Sequence, residues 1–286
     1  MSLRINFNSA SLSAQRALSR TQDDYARSAQ RISTGKRINS AADDAAGLAV
    51  STKLKAQITG LNQAQRNVQD GINAIAIGEG ALTQMHALLS RMRELAVQAA
   101  TATVTDSDRA QSNAEFTALS AEIDRLGNTT AYATIKLLDG TSSAFQLQVG
   151  ANSSDTMTVA FPTANLAGID ATIGAMSSPP TQPSLAAALV STQTDASQSI
   201  DTLDAAIEAI STYRASLGSM SNRLQMSSDN LSTAMENVSA ANSRIEDADI
   251  ASTMSELVRT QILQQAGIAI LSQANQAPQS VLKLLQ

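Results

Sequence analysis

Residues 200–245 read IDTLDAAIEAISTYRASLGSMSNRLQMSSDNLSTAMENVSAANSRI, and they contain the longest regular pattern of apolar residues in the chain. Its aliphatic residues recur at alternating intervals of three and four positions, which places them on one face of an α-helix. At about 1.5 Å per residue the pattern predicts a helix on the order of 70 Å long. Such a helix packs lengthwise against other helices rather than around a compact core. The series comprises Ile200, Leu203, Ile207, Ile210, Leu217, Leu224, Leu231, Met235, Val238 and Ile245.

A second long helix is predicted in the first half of the chain, where no proline occurs before residue 162. Its aliphatic residues show the same spacing of threes and fours or their sums. The fold class is therefore mainly α, a long-helix bundle or coiled coil. The run comprises Leu54, Ile58, Leu61, Val68, Ile72, Ile75, Leu82 and Leu89.

The middle of the chain carries the strand signal. Residues 145–149 (FQLQV) alternate apolar and polar side chains, residues 157–161 (MTVAF) do so less cleanly, and GANSSD lies between them. This combination predicts a small β-hairpin at 145–161. Residues 162–199 are rich in Ser, Thr, Ala and Pro, so we expect a loop there.

A further helical series begins near the C-terminus, offset by one residue from the series that ends at Ile245. The slip at 246–250 is the pattern expected at a boundary between two helical bundles. Residues 262–286 contain no acidic residue and one basic residue, and their apolar side chains occupy nearly every helix face. We expect this segment to be buried only after assembly and mobile before it. The series comprises Ile250, Met254, Leu257, Ile268, Leu271, Leu282 and Leu285.

Composition excludes several classes of protein. The 286 residues include no Cys and one His (His86), which excludes disulfide frameworks, thiolate zinc sites and histidine-cluster metal sites. A net charge of −5 with a pI near 4.9 argues against a general nucleic-acid binder. No apolar run reaches the length of a membrane span, so we expect no membrane insertion. The N-terminus lacks the apolar region of a secretory signal, which leaves a cytoplasmic protein or one exported by another route.

Four short motifs suggest chemistry but have simpler interpretations. Residues 33–36 (STGK) lack the upstream glycine of a phosphate loop, and residues 246–249 (EDAD) lack the ligand ladder of a calcium site. Asp43-Asp44 has no acid/base partner and suits helix capping, while His86 falls in register with the first-half heptads. We therefore predict no enzyme, no catalytic residue, no cofactor and no metal.

Several segments together resemble bacterial flagellin, over roughly 240 residues and everywhere except about 162–199. The chain resembles a short form without outer insertion domains, because only about forty residues separate the hairpin from the C-terminal helices. One departure is Tyr132-Ala133-Thr134, where the family often has a Phe-Asn-Gly turn. The matching segments are RISTGKRINSAADDAAGLAVSTKL (31–54), NVQDGINAIAIGEGAL (67–82), RMRELAVQ (91–98), QVGANSSDTMTV (148–159), SRIEDADIA (243–251) and RTQILQQAGIAILSQANQAPQSVLKLLQ (259–286).

The resemblance implies a domain organisation and a function. Residues 1–45 and 251–286 would form an inner core domain of paired terminal helices, and residues 46–250 a rod-like bundle that carries the hairpin. The implied function is a structural subunit that polymerises into the extracellular flagellar filament for swimming and leaves the cell unfolded through the flagellar type III apparatus. The implied partners are further copies of the chain, an export chaperone, and the filament cap and hook-associated proteins.

The resemblance also implies sites. Arg91, Leu95 and Glu115 match positions that contact the innate immune receptor Toll-like receptor 5, although an exposed helix pair and a core leucine explain them equally well. Ser153 and Ser154, in a predicted exposed turn, are candidates for O-glycosylation, as is the Ser/Thr run at 177–194. The terminal segments would supply the apolar residues for polymerisation, which are Ile5, Leu12, Leu18, Ile32, Ile268, Leu271, Leu282 and Leu285.

Two other functions stay open at this point. A flagellar hook-filament junction protein shares flagellin-like ends, but here the resemblance continues through both helical halves and the hairpin. A secreted coiled-coil adhesin would need a binding site within 139–199, where nothing beyond Ser and Thr suggests one.

Overall fold

The structure is a computed structural model, and it describes residues 8–141, 144–176, 185 and 188–284. Within these ranges the chain forms long helices and two pairs of short antiparallel strands, so the predicted mainly-α fold class is confirmed. In chain order the elements are α1 (Ser9–Thr34), α2 (Ala45–Ala99), α3 (Asp106–Thr129), β1 (Ala131–Tyr132), β2 (Ile135–Lys136), β3 (Ala144–Gln148), β4 (Thr156–Ala160), α4 (Leu166–Met176), α5 (Gln193–Glu246) and α6 (Ile250–Leu284).

The two longest helices, α2 and α5, contain the predicted heptad series. α2 has 55 residues and α5 has 54, so each is about 80 Å long at about 1.5 Å per residue. Leucines from both series are buried, which confirms that the heptads mark the packed faces. The buried members are Leu61, Val68, Ile75, Leu82, Leu89, Leu203, Ile210, Leu217, Leu224 and Leu231.

Helix α1 shows how local sequence sets the helix ends. The side chain of Asn8 accepts a hydrogen bond from the Ser11 amide at 3.0 Å and thereby caps the N-terminus. Gly35 follows the last turn with φ +70°, a left-handed conformation that glycine adopts without steric cost. The STGK stretch is therefore a helix C-terminus rather than a phosphate loop.

The predicted hairpin is present as β3 and β4. Phe145 pairs with Val159, and the rings of Phe145 and Phe161 meet edge to face at 5.4 Å. A smaller turn joins β1 to β2, at the place where the sequence departs from the Phe-Asn-Gly pattern. There Ala133 takes a left-handed φ of +53°, which costs an L-amino acid roughly 1–2 kcal/mol.

The expectation of a continuous loop at 162–199 is wrong, because helix α4 lies within it and α5 begins at Gln193. Tertiary contacts fix this helix: the Asn165 side chain accepts from the Gly168 amide at 2.9 Å, and Ile169 is fully buried. α4 packs on α3 at Gly127, where an added Cβ would lie 2.7 Å from the Asn165 Cα. Only glycine permits this approach.

The chain divides into two compact units. Unit 1 comprises residues 1–58 and 236–286, and unit 2 comprises residues 59–235. In unit 2, Gly71 of α2 lies beside Leu224 of α5, and Gly78 lies beside Leu217 and the hairpin residue Phe161. The domain boundaries at 45/46 and 250/251 stay a prediction; they coincide with the starts of α2 and α6.

Candidate assembly surface

Unit 1 is organised around an antiparallel pair formed by α1 and α6. The Asn8 side-chain amide donates to the Ala274 carbonyl at 2.9 Å, and the Ser11 hydroxyl donates to the Asn275 side chain at 2.8 Å. At the other end of the pair, the Ala248 amide donates to the Gly35 carbonyl at 2.9 Å. Helix α1 is therefore paired with α6 from one end of α1 to the other.

The seam between α1 and α6 consists mainly of small and polar side chains. The most buried residues on the two sides are Ser28 and Thr260, and Gly267 faces Leu18. Small side chains let the two backbones approach closely, but they remove little apolar surface from water. The seam residues, spaced by threes and fours, are Ser11, Ala14, Leu18, Thr21, Tyr25, Ser28 and Ile32 on α1 and Thr253, Leu257, Thr260, Gln264, Gly267, Leu271 and Ala274 on α6.

Most of the large aliphatic side chains of α6 lie outside this seam, whereas Leu257 and Leu271 belong to it. Ile262 is 60% exposed and Ile270 is 61% exposed, values typical of charged surface residues. We call this set the aliphatic surface of α6. Its members are Ile250, Met254, Val258, Ile262, Leu263, Ile268 and Ile270.

Unit 1 consequently lacks a hydrophobic core of its own. Among its described residues Ile38 is the single buried apolar side chain, whereas Ser28, Ser51, Glu246 and Thr260 are buried polar ones. A protein region with a polar interior and an aliphatic exterior gains little by folding alone.

The structure separates the sequence-predicted polymerisation residues into three groups. Leu12 and Ile268 are exposed, at 37% and 55%, and are available to another molecule. Leu18, Ile32 and Leu271 are half-buried on the seam. Ile5 and Leu285 lie outside the described residues, as does the side chain of Leu282.

A buried carboxylate, Glu246, connects the turns at the base of the α1/α6 pair. Its oxygens lie 2.8 Å from the Lys36 ammonium and 2.5 Å from the Lys55 ammonium, and the Ser51 hydroxyl donates to it at 2.8 Å. The side-chain amide of Asn242 donates to it at 3.3 Å. We call this arrangement the Glu246 cluster.

The backbone reinforces the Glu246 cluster. The Arg37 amide donates to the Glu246 carbonyl at 2.6 Å, and the Arg37 guanidinium donates to the Ile245 carbonyl at 2.7 Å. These bonds satisfy carbonyl groups at the end of α5 that have no partner within the helix. The turn after α1 is thus fastened to the end of α5.

The two ammonium groups determine the ionisation of this carboxyl group. Hydrogen bonds from Lys36 and Lys55 lower the pKa of Glu246 from 4.5 to about 2, against the opposing effect of burial. The same contact raises the pKa of Lys36. Glu246 therefore stays ionised at neutral pH although only 5% of its side chain is exposed.

The sequence contained no signal for this cluster. Lys55 and Glu246 are 191 residues apart, and no spacing pattern relates them. The neighbouring Asp43-Asp44 pair has the capping role expected from the sequence: Asp43 accepts from the Ser40 amide at 2.9 Å, and Asp44 accepts from the Gly47 amide at 2.8 Å. Hydrogen bonds from Ser40 and Asn39 lower the pKa of Asp43.

In unit 2, the segment that resembles the receptor-binding stretch forms an ion-pair network. The Arg91 guanidinium lies 3.0 Å from carboxylate oxygens of Glu94 and of Glu115, and the hydrogen bond to Glu115 raises its pKa most. Arg93 pairs instead with Asp204 of α5 at 2.5 Å. Leu95 is 3% exposed and belongs to the core, so of the three predicted receptor contacts only Arg91 and Glu115 lie on the surface.

The other candidate residues lie apart from these networks. His86 is half-buried on α2, and Ser153 and Ser154 are exposed in the hairpin turn. The turn borders a shallow cleft of about 280 Å³ that is lined by neutral residues such as Gln63 and Asn67. Over the described ranges, no cluster of acidic and histidine side chains is arranged to hold a metal, and no helix is apolar and long enough to span a membrane.

Comparison with known proteins assigns the family. The family described as bacterial flagellin N-terminal helical region matches residues 5–143, and the bacterial flagellin C-terminal helical region matches residues 200–285. A flagellin from Halalkalibacterium halodurans is 45% identical over 282 residues, which cover 99% of each chain. The chain belongs to the bacterial flagellin family. A Bacillus subtilis flagellin is 40% identical and covers 99% of this chain and 100% of its own.

Membership of the flagellin family confirms the predicted function. The protein is a structural subunit of the extracellular flagellar filament, of the short form, and it is not an enzyme. A putative flagellar hook-associated protein from Vibrio parahaemolyticus superposes with a TM-score of 0.57 at 18% identity, over 72% of this chain and 100% of its own. That likeness concerns the fold alone. The family assignment favours the filament subunit over the junction-protein and adhesin alternatives.

Proposed function

We propose that the aliphatic surface of α6, together with Leu12 of α1, forms the main polymerisation interface of the filament. The observation that carries this proposal is the distribution of side chains in unit 1, whose buried residues are mainly polar. Ile38 is the single buried apolar residue of its described part. Seven large side chains on α6 stay exposed in one copy. Burying an aliphatic side chain fully contributes about 1.5–3 kcal/mol, so covering the remaining half of each gives about 1 kcal/mol per residue.

Ile268→Asp tests the interface. The monomer should remain soluble with an intact unit 2, because Ile268 is already 55% exposed there. In the filament the substitution would bury an unpaired carboxylate at a cost of several kcal/mol, so elongation of wild-type seeds should stop. Ile268→Leu, which conserves volume, is the matched control and should elongate normally. Normal growth of the aspartate variant, measured by sedimentation and electron microscopy, would show that α6 does not form the interface.

We also infer the partners that the family implies: an export chaperone, the filament cap and the hook-associated proteins, with export through the flagellar type III apparatus. Support comes from the absence of Cys, since a disulfide would obstruct an unfolded chain in transit. A terminal surface that is incomplete in one copy is also a suitable target for a chaperone. Secretion of the chain by a strain without the flagellar apparatus would contradict the route.

Recognition by Toll-like receptor 5 is the second candidate function. The exposed ion pair between Arg91 and Glu115 supports this function. Leu95, four residues after Arg91, is buried in the core. Arginine is enriched at the energetic centres of interfaces. Arg91→Ala should weaken receptor signalling by monomer without changing its circular dichroism, while Arg125→Ala on α3 serves as the control. Equal signalling by the two variants would exclude Arg91 from the receptor surface.

The exposed hairpin turn supports a modification proposal. Ser153 and Ser154 are both exposed, so a glycosyl group attached to either hydroxyl could extend into solvent. We propose these two residues as O-glycosylation sites. Intact-mass measurement on native filaments, followed by Ser153→Ala and Ser154→Ala, tests the assignment, and a mass equal to that of the polypeptide would dismiss it. The run at 177–194 falls largely outside the described residues.

A further inference from the structure

The shallow cleft in unit 2 lies between α2 and the turn of the β3–β4 hairpin. Helix α2 contributes Gln63 and Asn67 to its walls, and the hairpin contributes Gln148, Asn152 and Ser153. Its volume of about 280 Å³ is slightly below the range of about 300–1,000 Å³ that is typical of pockets for drug-sized ligands. The cleft therefore suits a ligand about the size of one sugar ring. We call it the hairpin cleft.

Hydrogen bonds within the chain hold the amide side chains of the hairpin cleft in place. The Gln63 amide donates to the Asn67 side-chain oxygen at 2.9 Å, and the Asn67 amide donates to the Gln148 carbonyl at 3.0 Å. The Asn152 amide donates to the Asp155 carboxylate at 2.9 Å. An amide nitrogen carries two hydrogens, so each of these three groups keeps one N–H without a partner in the described part of the chain.

The hairpin cleft also offers acceptors next to these donors. Neither the side-chain oxygens of Gln148 and Asn152 nor the Ser153 hydroxyl is hydrogen-bonded to the described residues. Donors and acceptors side by side match sugar hydroxyls, each of which both donates and accepts. The lining residues carry no charge, and an ionised ligand group without an opposite charge loses hydration there. The matching ligand is therefore an uncharged sugar.

The hairpin cleft is too polar and too shallow to bind a free sugar tightly. Pockets that bind small molecules well are lined mainly by apolar and aromatic side chains, whereas the apolar lining here consists of glycine and alanine residues such as Ala64. Covalent attachment removes this difficulty, because a tethered group is present at an effective concentration in the millimolar range. Ser153 lies in the wall of the cleft, and Ser154 is outside its lining.

We propose that the hairpin cleft holds an uncharged sugar ring attached to Ser153, so that Ser153 rather than Ser154 is the modified hydroxyl. This inference rests on the proposed O-glycosylation of the hairpin turn. Attachment requires a glycosyltransferase and a nucleoside diphosphate sugar. The Ser153 oxygen forms a bond to the anomeric carbon, the bond from that carbon to the diphosphate breaks, and the hydroxyl proton passes to a base of the transferase. The docked ring then joins α2 to the hairpin turn.

Mass spectrometry tests which hydroxyl is modified. Fragmentation that preserves the sugar bond, applied to flagellin from native filaments, should place a neutral hexose or N-acetylhexosamine on Ser153 and none on Ser154. Ser153→Ala should abolish the modification, and Ser154→Ala should retain it.

Hydrogen exchange tests the docking of the sugar. Glycosylated monomer from native filaments is compared with the same chain made in a host that lacks the transferase. The amides of Val149 and Asp155, which close the turn, should exchange about threefold more slowly in the glycosylated chain, since the tethered ring occupies the cleft most of the time. Gln63→Ala should remove most of this slowing and leave the sugar attached. Gln69→Ala, at an exposed position of α2 outside the cleft, is the matched control.

Each outcome decides the proposal. A sugar on Ser153 with slower exchange that depends on Gln63 supports it. A sugar on Ser154 alone overturns the docking and leaves the modification proposal standing. The same holds for a sugar on Ser153 that does not slow exchange, or that slows it equally in Gln63→Ala. A mass equal to that of the polypeptide in native filaments overturns both proposals.

Discussion

Replacing Glu246 by Gln tests how much one buried carboxylate stabilises the contact between the turn after α1 and the end of α5. The substitution keeps the shape of the side chain and its hydrogen bonds with Ser51 and Asn242. It removes the negative charge with which the ammonium groups of Lys36 and Lys55 are paired. The turn after α1 and the end of α5 should therefore separate more often.

The magnitude follows from the pKa of Glu246. It falls from 4.5 to about 2, and one pKa unit corresponds to about 1.4 kcal/mol, so the charged form is favoured in the folded state by about 3 kcal/mol. Both lysines remain nearly half exposed, at 45% and 48%, and solvent weakens their attraction. We therefore expect a loss of about 2 kcal/mol from local stability at neutral pH.

Hydrogen exchange in the assembled filament measures this loss. The Arg37 and Ile38 amides both point at the Glu246 carbonyl, and the Ala248 amide donates to Gly35. Their exchange should quicken by about thirtyfold in Glu246→Gln, since 1.4 kcal/mol corresponds to a factor of ten. Glu236→Gln, at an exposed position of the same helix, is the control. Unchanged protection in Glu246→Gln would refute the assigned role of the cluster.

Three further predictions concern other perturbations. As the pH falls from 4.5 to about 2, wild-type protection around Glu246 should be lost, because the carboxyl with the lowered pKa becomes protonated, whereas Glu246→Gln should lose less in this window, its remaining loss coming from Asp43, whose pKa is also lowered. Ala133→Gly should raise the stability of unit 2 by about 1 kcal/mol in urea unfolding, since it relieves the left-handed φ of +53°, and a lower midpoint would contradict this. Limited proteolysis of the monomer should trim both termini and leave a fragment near 46–250, and uniform resistance would contradict terminal mobility.

Periodicity predicted the long helices because a heptad repeat acts locally. Residues three and four apart on α2 or α5 share a face whatever their partner is, so Leu82 and Leu217 could be assigned to a packed seam without a structure. Turn chemistry likewise predicted the hairpin. Helix α4 was missed because its sequence includes Gly168 and lies in a segment rich in loop-forming residues. Contacts with α3, and the cap from Asn165, decide its conformation.

The terminal helices show the limit of the same reasoning. The sequence indicated that residues 262–286 have apolar side chains on nearly every face, and that such a helix is buried against other protein after assembly. It did not indicate which face meets α1. Packing brings the backbones together at Thr260 and Gly267, the small residues, and turns Ile262 and Ile270 outward. Rotation about a helix axis is set by the partner surface, so a uniformly apolar helix cannot specify it alone.

The family, the long helices and the apolar terminal segments could be predicted from the sequence, because motif and periodicity are properties of neighbouring residues. The tertiary structure alone decided the Glu246 cluster, the direction of the α6 aliphatic surface and the burial of Leu95. Each of these depends on residues far apart in the chain, such as Lys36 and Glu246, or on the rotation of a packed helix. Short-range spacing carries no information about either.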